Sequence, residues 1–311
     1  MQRAAAAPGD PQSYPAAPDV FIEQRDGGLV AACFFAMASP CELLLDTGDL
    51  EQAQRIGLVA AGEAARIEAK FSRYRSDSVV SAINRSAGTT VELDAETAAL
   101  IDYAARCYEL SSGLFDITSG VLRRAWKFDG SDRVPAQSEI DALLGLVGFD
   151  RIDWRAPHMT LAPGMEIDFG GIGKEYAVDR ALALVEAQSD CALLVNFGGD
   201  LRTNRPPAAG PWRVAIERPD TDREARLLLD VTQGGLATSG DTHRYLVRDG
   251  VRYGHILDPR SGWPVRDAPR SVTVAAGSCT EAGMYCTFAM LNGAGAEELL
   301  ERAGVPFWCL R

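Results

Sequence analysis

One segment near the middle of the chain restricts the fold more than any other. Residues 167–179 read Ile-Asp-Phe-Gly-Gly-Ile-Gly-Lys-Glu-Tyr-Ala-Val-Asp. The pattern predicts a strand that ends at Asp168 and a helix that begins at about Gly173, with glycines at the junction. Such a junction lets the backbone approach a ligand closely and points the N–H groups of the first helical turn at an anion. Lys174 adds a positive charge there, although a glycine-rich turn without a ligand fits the same spacing.

The junction differs from two common nucleotide-binding motifs. It matches neither the Walker loop, G-x-x-x-x-G-K-[ST], nor the dinucleotide fingerprint, G-x-G-x-x-G. The remaining chain does not show the βαβ alternation that accompanies that fingerprint. The sequence therefore disfavours an NAD-dependent Rossmann enzyme.

Hydrophobic periodicity predicts the other elements. Helices are expected at about 50–70, 95–111, 173–188, 279–292 and 294–303. Strands are expected at about 21–24, 29–46, 192–196, 212–217, 227–231, 271–275 and 305–310, with a hairpin of 244–247 and 251–256 through Asp249-Gly250. The order predicts the α+β class, with mixed sheets flanked by helices. We expect a flexible N-terminal segment over residues 1–20 and one integrated domain over residues 21–311.

Composition narrows the function classes. The formal net charge of −12 disfavours binding to nucleic acid and to anionic membranes. No stretch approaches the roughly 18 apolar residues of a membrane span, and the N-terminus has no signal-peptide core. Seven scattered cysteines without a C-x-x-C pair are typical of buried thiols in a reducing compartment. These features predict a cytoplasmic protein.

Other short segments suggest a polar ligand. Glycine turns at 196–200 and 237–241 are typical of loops that line a cleft, and each is also compatible with a simple turn. His255 lies where a predicted hairpin strand enters a Pro/Gly turn, a common place for functional side chains. A structural histidine fits that position equally well. No Cys/His spacing in the sequence favours a zinc site.

Seven segments in order resemble one family. They are the strand 34–41, the F-S-x-Y segment 71–84, G-L-F-D-I-T-S-G at 113–120, the glycine-rich junction 168–179, N-F-G-G-D at 196–200, A-T-S-G at 237–240 and H-I-L-D-P-R-S-G at 255–262. Together they are similar to the bacterial ApbE family of FAD:protein FMN transferases. The resemblance extends along almost the whole chain from about residue 33.

The resemblance implies a function and a set of site residues. Members of this family bind FAD in an elongated cleft, use Mg²⁺ to split its pyrophosphate, and transfer FMN to a threonine or serine of a target protein while AMP leaves. By position, the residues expected to contact the flavin or adenosine are Met37, Tyr74, Phe115 and Asp116. The residues expected at the phosphates are Gly170, Lys174 and Tyr176, with His255 as a base for the incoming hydroxyl or as a phosphate-orienting group. Ile256 is expected to contact the cofactor.

The metal site departs from the family pattern. The family holds magnesium with a helical A-D-x-x-x-T segment and a backbone carbonyl of the glycine-rich turn, assigned here to Gly173. The corresponding helix keeps Thr287 but has Gly283 in place of the aspartate. Glu281 lies six residues before Thr287, about 240° away around the helix, and cannot substitute simply. Water, another carboxylate or no metal could take that place, and Glu175 is a hypothetical replacement ligand.

Three functions are compatible with this departure. The first is an active flavin transferase that acts on a partner protein, favoured by His255, Lys174 and Thr287. The second is a flavin-binding relative without transfer chemistry, serving as a carrier, sensor or assembly factor, which Gly283 favours. The third is an FAD pyrophosphatase that uses water as the acceptor.

Overall fold

Helices and strands alternate irregularly along the chain. The structure is a computed structural model that describes residues 18–217, 225–240 and 245–311. Its α-helices are α1 (Leu50–Phe71), α2 (Val79–Asn84), α3 (Ala95–Leu110), α4 (Gln137–Leu144), α5 (Gly173–Glu186), α6 (Cys279–Leu291) and α7 (Ala296–Ala303). Its strands are β1 (Phe21–Gln24), β2 (Val30–Ala36), β3 (Ser39–Leu45), β4 (Val91–Glu92), β5 (Asp153–Arg155), β6 (His158–Thr160), β7 (Leu193–Phe197), β8 (Asp200–Thr203), β9 (Trp212–Glu217), β10 (Ala225–Val231), β11 (Gly234–Gly240), β12 (Tyr245–Arg248), β13 (Val251–Gly254), β14 (Ser271–Ala276) and β15 (Phe307–Leu310).

One eight-stranded sheet organises these elements, in the order β1-β2-β3-β7-β8-β11-β14-β15. Strands β9 and β10, strands β12 and β13, and strands β4 to β6 form three smaller sheets. The predicted α+β class is confirmed. One detail differs, because every strand pairing described is antiparallel rather than mixed. Tight connections such as those between β2 and β3 and between β7 and β8 favour this arrangement, since a short turn can join only antiparallel neighbours.

Helix α1 shows how the sequence builds the layer against this sheet. Its N-terminus is capped by Asp49, whose carboxylate accepts hydrogen bonds from the backbone N–H groups of Glu51 and Gln52 at 3.0 and 2.9 Å. The predicted apolar stripe is confirmed by four side chains that are at most 1% exposed: Ile56, Ala60, Ala64 and Ile67. Burial of that stripe against strand β2 and helix α5 holds the helix in place.

Helices α5 and α6 position the candidate site. Helix α5 packs on strands β7 and β8, and α6 packs on strands β11 and β14. Asp179 of α5 accepts hydrogen bonds from the backbone N–H groups of Cys279 and Thr280, both at 2.9 Å, and so links α5 to the first turn of α6. The middle of α5 is therefore held close to the beginning of α6.

Some elements were not predicted, and some predicted features fall outside the described residues. Helices α2 and α4, strands β8 and β11 of the main sheet, and the small sheet of strands β4 to β6 were not predicted. The predicted flexible segment lies outside the described residues up to residue 17, as do Asp241 and His243. In the part of the chain that is described, no helix combines the length and apolar character needed to cross a membrane.

A buried network of charges joins helices α1 and α3. Lys70, whose side chain is 5% exposed, lies 2.7 Å from Asp94 and 2.6 Å from Glu96. Arg66 donates to the same Glu96 carboxylate at 2.6 and 2.8 Å. Burial raises the pKa of Glu96, but the hydrogen bonds from Arg66 and Lys70 outweigh that effect and lower it to about 2. The network therefore depends on an ionised Glu96.

We expect Glu96→Gln to lower the free energy of unfolding at pH 7 by about 3 kcal/mol, because it leaves the buried ammonium of Lys70 with one fewer counter-charge. The folded-state pKa lies below the usual 4.5, so this contribution is complete above pH 4.5 and is lost as the pH falls towards 2. Urea unfolding of parent and variant between pH 7 and pH 2.5 measures the difference, which should shrink with acidification. A constant difference would contradict the prediction, and the exposed Glu109→Gln serves as the neutral control.

Candidate active site

The glycine-rich junction is reached by an extended segment rather than by a strand. The predicted strand ending at Asp168 is wrong, because residues 165–169 join no sheet. The amide of Asn84 takes the place of a neighbouring strand: its Oδ1 accepts from the backbone N–H of Ile167 at 2.7 Å and its Nδ2 donates to the Ile167 carbonyl at 3.0 Å. The backbone N–H of Asp168 donates to the carbonyl of Ile117 at 2.9 Å. The helix beginning at Gly173 is confirmed as α5.

Asp168 fixes the first glycine of the junction and gathers two arginines. Its carboxylate accepts from the backbone N–H of Gly170 at 2.9 Å and lies 3.0 Å from Arg73 and 3.7 Å from Arg123. Sequence reasoning missed both arginines. Arg73 stands at a variable position of the F-S-x-Y segment, and its pairing with Asp168 spans 95 residues. The junction is therefore more positive than Lys174 alone would make it.

Two predicted residues from distant segments meet at Gly171. A Cβ placed on this glycine would lie 3.1 Å from Cε2 of Phe115 and 4.0 Å from Cγ2 of Thr287. Phe115 is 5% exposed and packs edge-on against Phe288 of helix α6. A Cβ here would be in tight contact with Phe115 and in ordinary contact with Thr287, so the structure brings both side chains to the glycine-rich junction.

Lys174, at the start of helix α5, forms a close ion pair with Asp200. The ammonium lies 2.6 Å from the Asp200 carboxylate, which is only 2% exposed. Burial lowers the pKa of Lys174, but the Asp200 carboxylate more than compensates and raises it, so the lysine keeps its positive charge. Asp200 also accepts from the backbone N–H of Thr238 at 3.0 Å. The ion pair therefore connects the glycine-rich junction to the glycine turn before β8 and to strand β11. The turn predicted at 237–241 is wrong up to Gly240, because residues 234–240 pair with strands β8 and β14.

Glu175 follows Lys174 and points into the protein. The residue is 7% exposed, and its Oε2 is buried without a hydrogen-bond partner among the described residues. Burial and then the nearby Asp200 carboxylate raise the pKa of Glu175. An unpaired, buried carboxylate oxygen is unfavourable and calls for a positively charged partner or a proton.

Tyr176 points away from this group of charges. Its hydroxyl donates to Glu96 at 2.9 Å and thereby joins the network of helices α1 and α3. Burial and the Glu96 carboxylate raise the pKa of Tyr176, so the phenol remains a donor. The expected contact between Tyr176 and the phosphates stays a prediction, and the structure gives the hydroxyl a different partner.

Asp116 also has internal partners. Its side chain is buried and accepts from the backbone N–H of Thr118 at 2.8 Å, from the Thr118 hydroxyl at 2.6 Å and from the backbone N–H of Phe149 at 3.0 Å. These bonds cap the 3₁₀ helix of residues 117–124, which follows Phe115. Asp116 thus holds the Phe115 segment in place, and its own contact with the flavin or adenosine stays a prediction.

Tyr74 lies on the surface beside Arg73, whereas Met37 is partly buried in the turn between β2 and β3. Tyr74 is 79% exposed, and the guanidinium of Arg73 lies 5.2 Å from the centre of its ring. Met37 occupies the turn between β2 and β3 with a positive φ of 52°, and its backbone N–H donates to Glu68 at 2.9 Å. An exposed aromatic ring beside Arg73 offers a stacking surface for a planar ligand.

His255 and Ile256 follow strand β13. The imidazole of His255 is half-buried, and its ring centre lies 6.4 Å from that of Phe128 in an edge-on arrangement. The carbonyl of Ile256 accepts from the backbone N–H of Val265 at 3.0 Å. Ile256 lines a cavity of about 550 Å³ together with side chains of the β13 region, and the residues of the glycine-rich junction do not line it. The cavity is bordered by Tyr253, Trp263, Val265 and Met290, among others.

The sequence profile of the ApbE family matches residues 37–307, which includes every predicted site residue. The chain belongs to the ApbE family. Among curated relatives, the FAD:protein FMN transferase of Salmonella typhimurium is 32% identical over 300 residues, covering 88% of this chain and 85% of the relative. The enzyme of the same name from Vibrio cholerae is 31% identical, covering 72% and 69%.

Solved ApbE structures have the same fold. The ApbE protein of Thermotoga maritima superposes with a TM-score of 0.82 at 30% identity, covering 94% of each chain. The flavinyl transferase ApbE of Pseudomonas stutzeri, in its apo form, gives a TM-score of 0.79 at 28% identity, covering 94% of this chain and 92% of that one. The resemblance stated from the motifs is thereby confirmed.

Proposed function

We propose that this ApbE protein is an FAD:protein FMN transferase. It would split the pyrophosphate of FAD and attach FMN to a threonine or serine hydroxyl of a target protein, with AMP as the leaving group. The observation that carries the proposal is the convergence of three separate family segments, since Phe115 and Thr287 meet at Gly171, three residues before Lys174. The names of the relatives support the same reaction.

The charges at the junction suit a pyrophosphate. Lys174, Arg73 and Arg123, each beside an aspartate, place positive charge around the beginning of helix α5, whose N-cap residue Ile172 provides no side-chain hydrogen bond. Free donors and cations at such a helix end stabilise phosphate oxygens. In the transfer, the acceptor oxygen forms a bond to the phosphorus of the FMN portion as the bond from that phosphorus to the oxygen shared with AMP breaks. We assign His255 to accept the proton of the incoming hydroxyl.

We also propose that the enzyme uses Mg²⁺. The unpaired oxygen of Glu175 and the position of Thr287 beside Gly171 fit a hard cation, which prefers oxygen ligands. No group of three or more His, Cys, Asp and Glu side chains suited to a metal occurs within the described residues, so a mixed set is expected. Thr287 and the backbone carbonyl of Gly173 would hold the ion. Magnesium bound there would neutralise charge on the phosphates.

The absence of an aspartate at Gly283 favours a second candidate function. A family member with a weakened metal site would bind FAD as a carrier or assembly factor, or hydrolyse it with water to FMN and AMP. Incubation with FAD and Mg²⁺, with and without a flavin-acceptor domain, separates these functions. We expect covalent flavin on the acceptor and stoichiometric AMP. Free FMN would indicate hydrolysis, and intact bound FAD would indicate a binding protein.

The location and the acceptor belong to the same proposal. All seven cysteines are free thiols, which supports the predicted cytoplasmic location because thiols persist in reducing compartments. The net charge of −12 supports a protein acceptor rather than a nucleic acid.

A further inference from the structure

Gly283 and Glu175 occupy complementary space. A Cβ placed on Gly283 would lie 2.6 Å from Cγ of Glu175 and 3.0 Å from both its Cδ and its Oε1. The carboxyl group of helix α5 therefore fills the volume that a side chain on α6 would need. Either residue can carry a side chain there, but both cannot without movement.

The carboxyl group of Glu175 occupies the side-chain position of residue 283, on the same face of α6 as Thr287. Positions 283 and 287 are four residues apart on helix α6, so their side chains lie on the same helical face. Glu281 is excluded from that place, because it is exposed and its carboxylate accepts from the backbone N–H of Gly277 at 3.1 Å. A carboxylate beside Thr287 is thus supplied by α5.

Neighbouring charges do not satisfy this carboxylate. Lys174, adjacent in the chain, is paired with Asp200 at 2.6 Å, and Oε2 of Glu175 has no hydrogen-bond partner in the described structure. Two buried carboxylates, Glu175 and Asp200, thus share one ammonium. A divalent cation would supply the missing positive charge. If the side chain at position 175 only filled space, an apolar residue would do so with a smaller desolvation cost than a carboxylate.

We propose that Glu175 is the anionic metal ligand of this enzyme, and that the carboxylate has moved from α6 to α5 as Gly283 made room for it. The inference rests on the proposed function, since the metal is the one that the transferase would use. It also gives one physical reason for both the missing aspartate at Gly283 and the unpaired buried carboxylate of Glu175.

Binding of Mg²⁺ alone tests the proposal without reference to turnover. Isothermal titration calorimetry with MgCl₂, and Mn²⁺ electron paramagnetic resonance as a second readout, are compared for the parent, Glu175→Gln and Glu281→Gln. Glu175→Gln keeps the shape of the side chain and should weaken binding at least about 10-fold, since loss of even an indirect partner of a metal ligand has that effect. Glu281→Gln, on the surface of the same region, should bind as the parent does.

A transplanted carboxylate provides the second variant. Glu175→Ala combined with Gly283→Asp returns the carboxylate to α6 and removes the side chain that would collide with it, so Mg²⁺ binding should be regained. Gly283→Asp alone should destabilise the fold because of the 2.6 Å contact. Thermal unfolding and quenching of FAD fluorescence verify that each variant folds and still binds flavin.

The outcomes for the inference and for the function differ. Unchanged Mg²⁺ affinity in Glu175→Gln, or a parent that transfers FMN without binding Mg²⁺, would overturn the role of Glu175 and leave the transferase intact. A different result would separate the two claims: the parent binds Mg²⁺ but yields only free FMN or intact FAD, and Glu175→Gln loses Mg²⁺ binding. That result would support Glu175 as a metal ligand and overturn the proposed transferase function. If the Glu175→Ala/Gly283→Asp variant folds but binds no Mg²⁺, the proposed move of the carboxylate from α6 to α5 is contradicted.

Discussion

Replacing Lys174 by methionine is expected to reduce FMN transfer by about 100-fold or more, since the charge at the start of helix α5 stabilises the pyrophosphate as negative charge develops. It should also lower the free energy of unfolding by about 3–5 kcal/mol, because Asp200, 2% exposed, loses its counter-ion at 2.6 Å. Methionine preserves most of the length of the side chain, so packing changes little. Initial rates of acceptor flavinylation and chemical denaturation measure the two effects.

A double variant separates the two roles of Lys174. Lys174→Met with Asp200→Asn removes both charges, and the amide can still accept the hydrogen bond from the backbone N–H of Thr238. We expect most of the lost stability to return, while transfer stays low. If transfer returns together with stability, Lys174 serves only as the counter-ion of Asp200 and does not act on the phosphates.

Long elements of the fold could be predicted from the sequence because their signals are local. The stripe of α1 repeats over many turns, and the hairpin of β12 and β13 has Asp249 and Gly250 at positive φ, as its turn requires. Helix α2 could not be predicted, since six residues give too few repeats of an apolar stripe, and α4 shows no stripe because it buries only Ile140. The extended segment before Gly170 resembles a strand locally, but its hydrogen bonds go to Asn84, which lies 83 residues away.

The candidate site likewise has parts that the sequence predicts and parts that it does not. The glycine-rich junction, Lys174 and Phe115 could be placed by motif, because each belongs to a contiguous segment. The directions of side chains could not, as the Tyr176 hydroxyl shows by turning to Glu96 of helix α3. The contact of Glu175 with Gly283 depends on how α5 and α6 pack, which neither segment specifies alone. Contacts between helices that are far apart in the sequence are thus the features of the site that only the structure shows.

Asp168→Ala is expected to reduce FMN transfer by about 100-fold through misplacement of the glycine-rich junction. The change removes the acceptor of the Gly170 backbone N–H at 2.9 Å and the carboxylate that holds Arg73 at 3.0 Å. Stability should fall by about 2 kcal/mol, the usual size for a hydrogen bond to a charged group. Fluorescence titration with FAD and the rate of transfer at saturating FAD distinguish weaker binding from slower chemistry.

Asp168→Asn is the matched variant, because its amide oxygen still accepts from Gly170 while the ion pairs with Arg73 and Arg123 are lost. If the main role of Asp168 is to shape the turn, this variant should retain most of the transfer activity that alanine loses. If its main role is to orient the arginines, asparagine and alanine should be equally impaired. Tighter FAD binding with full transfer in both variants would contradict either role, since it would mean that Asp168 only competes with the phosphates for the two guanidinium groups.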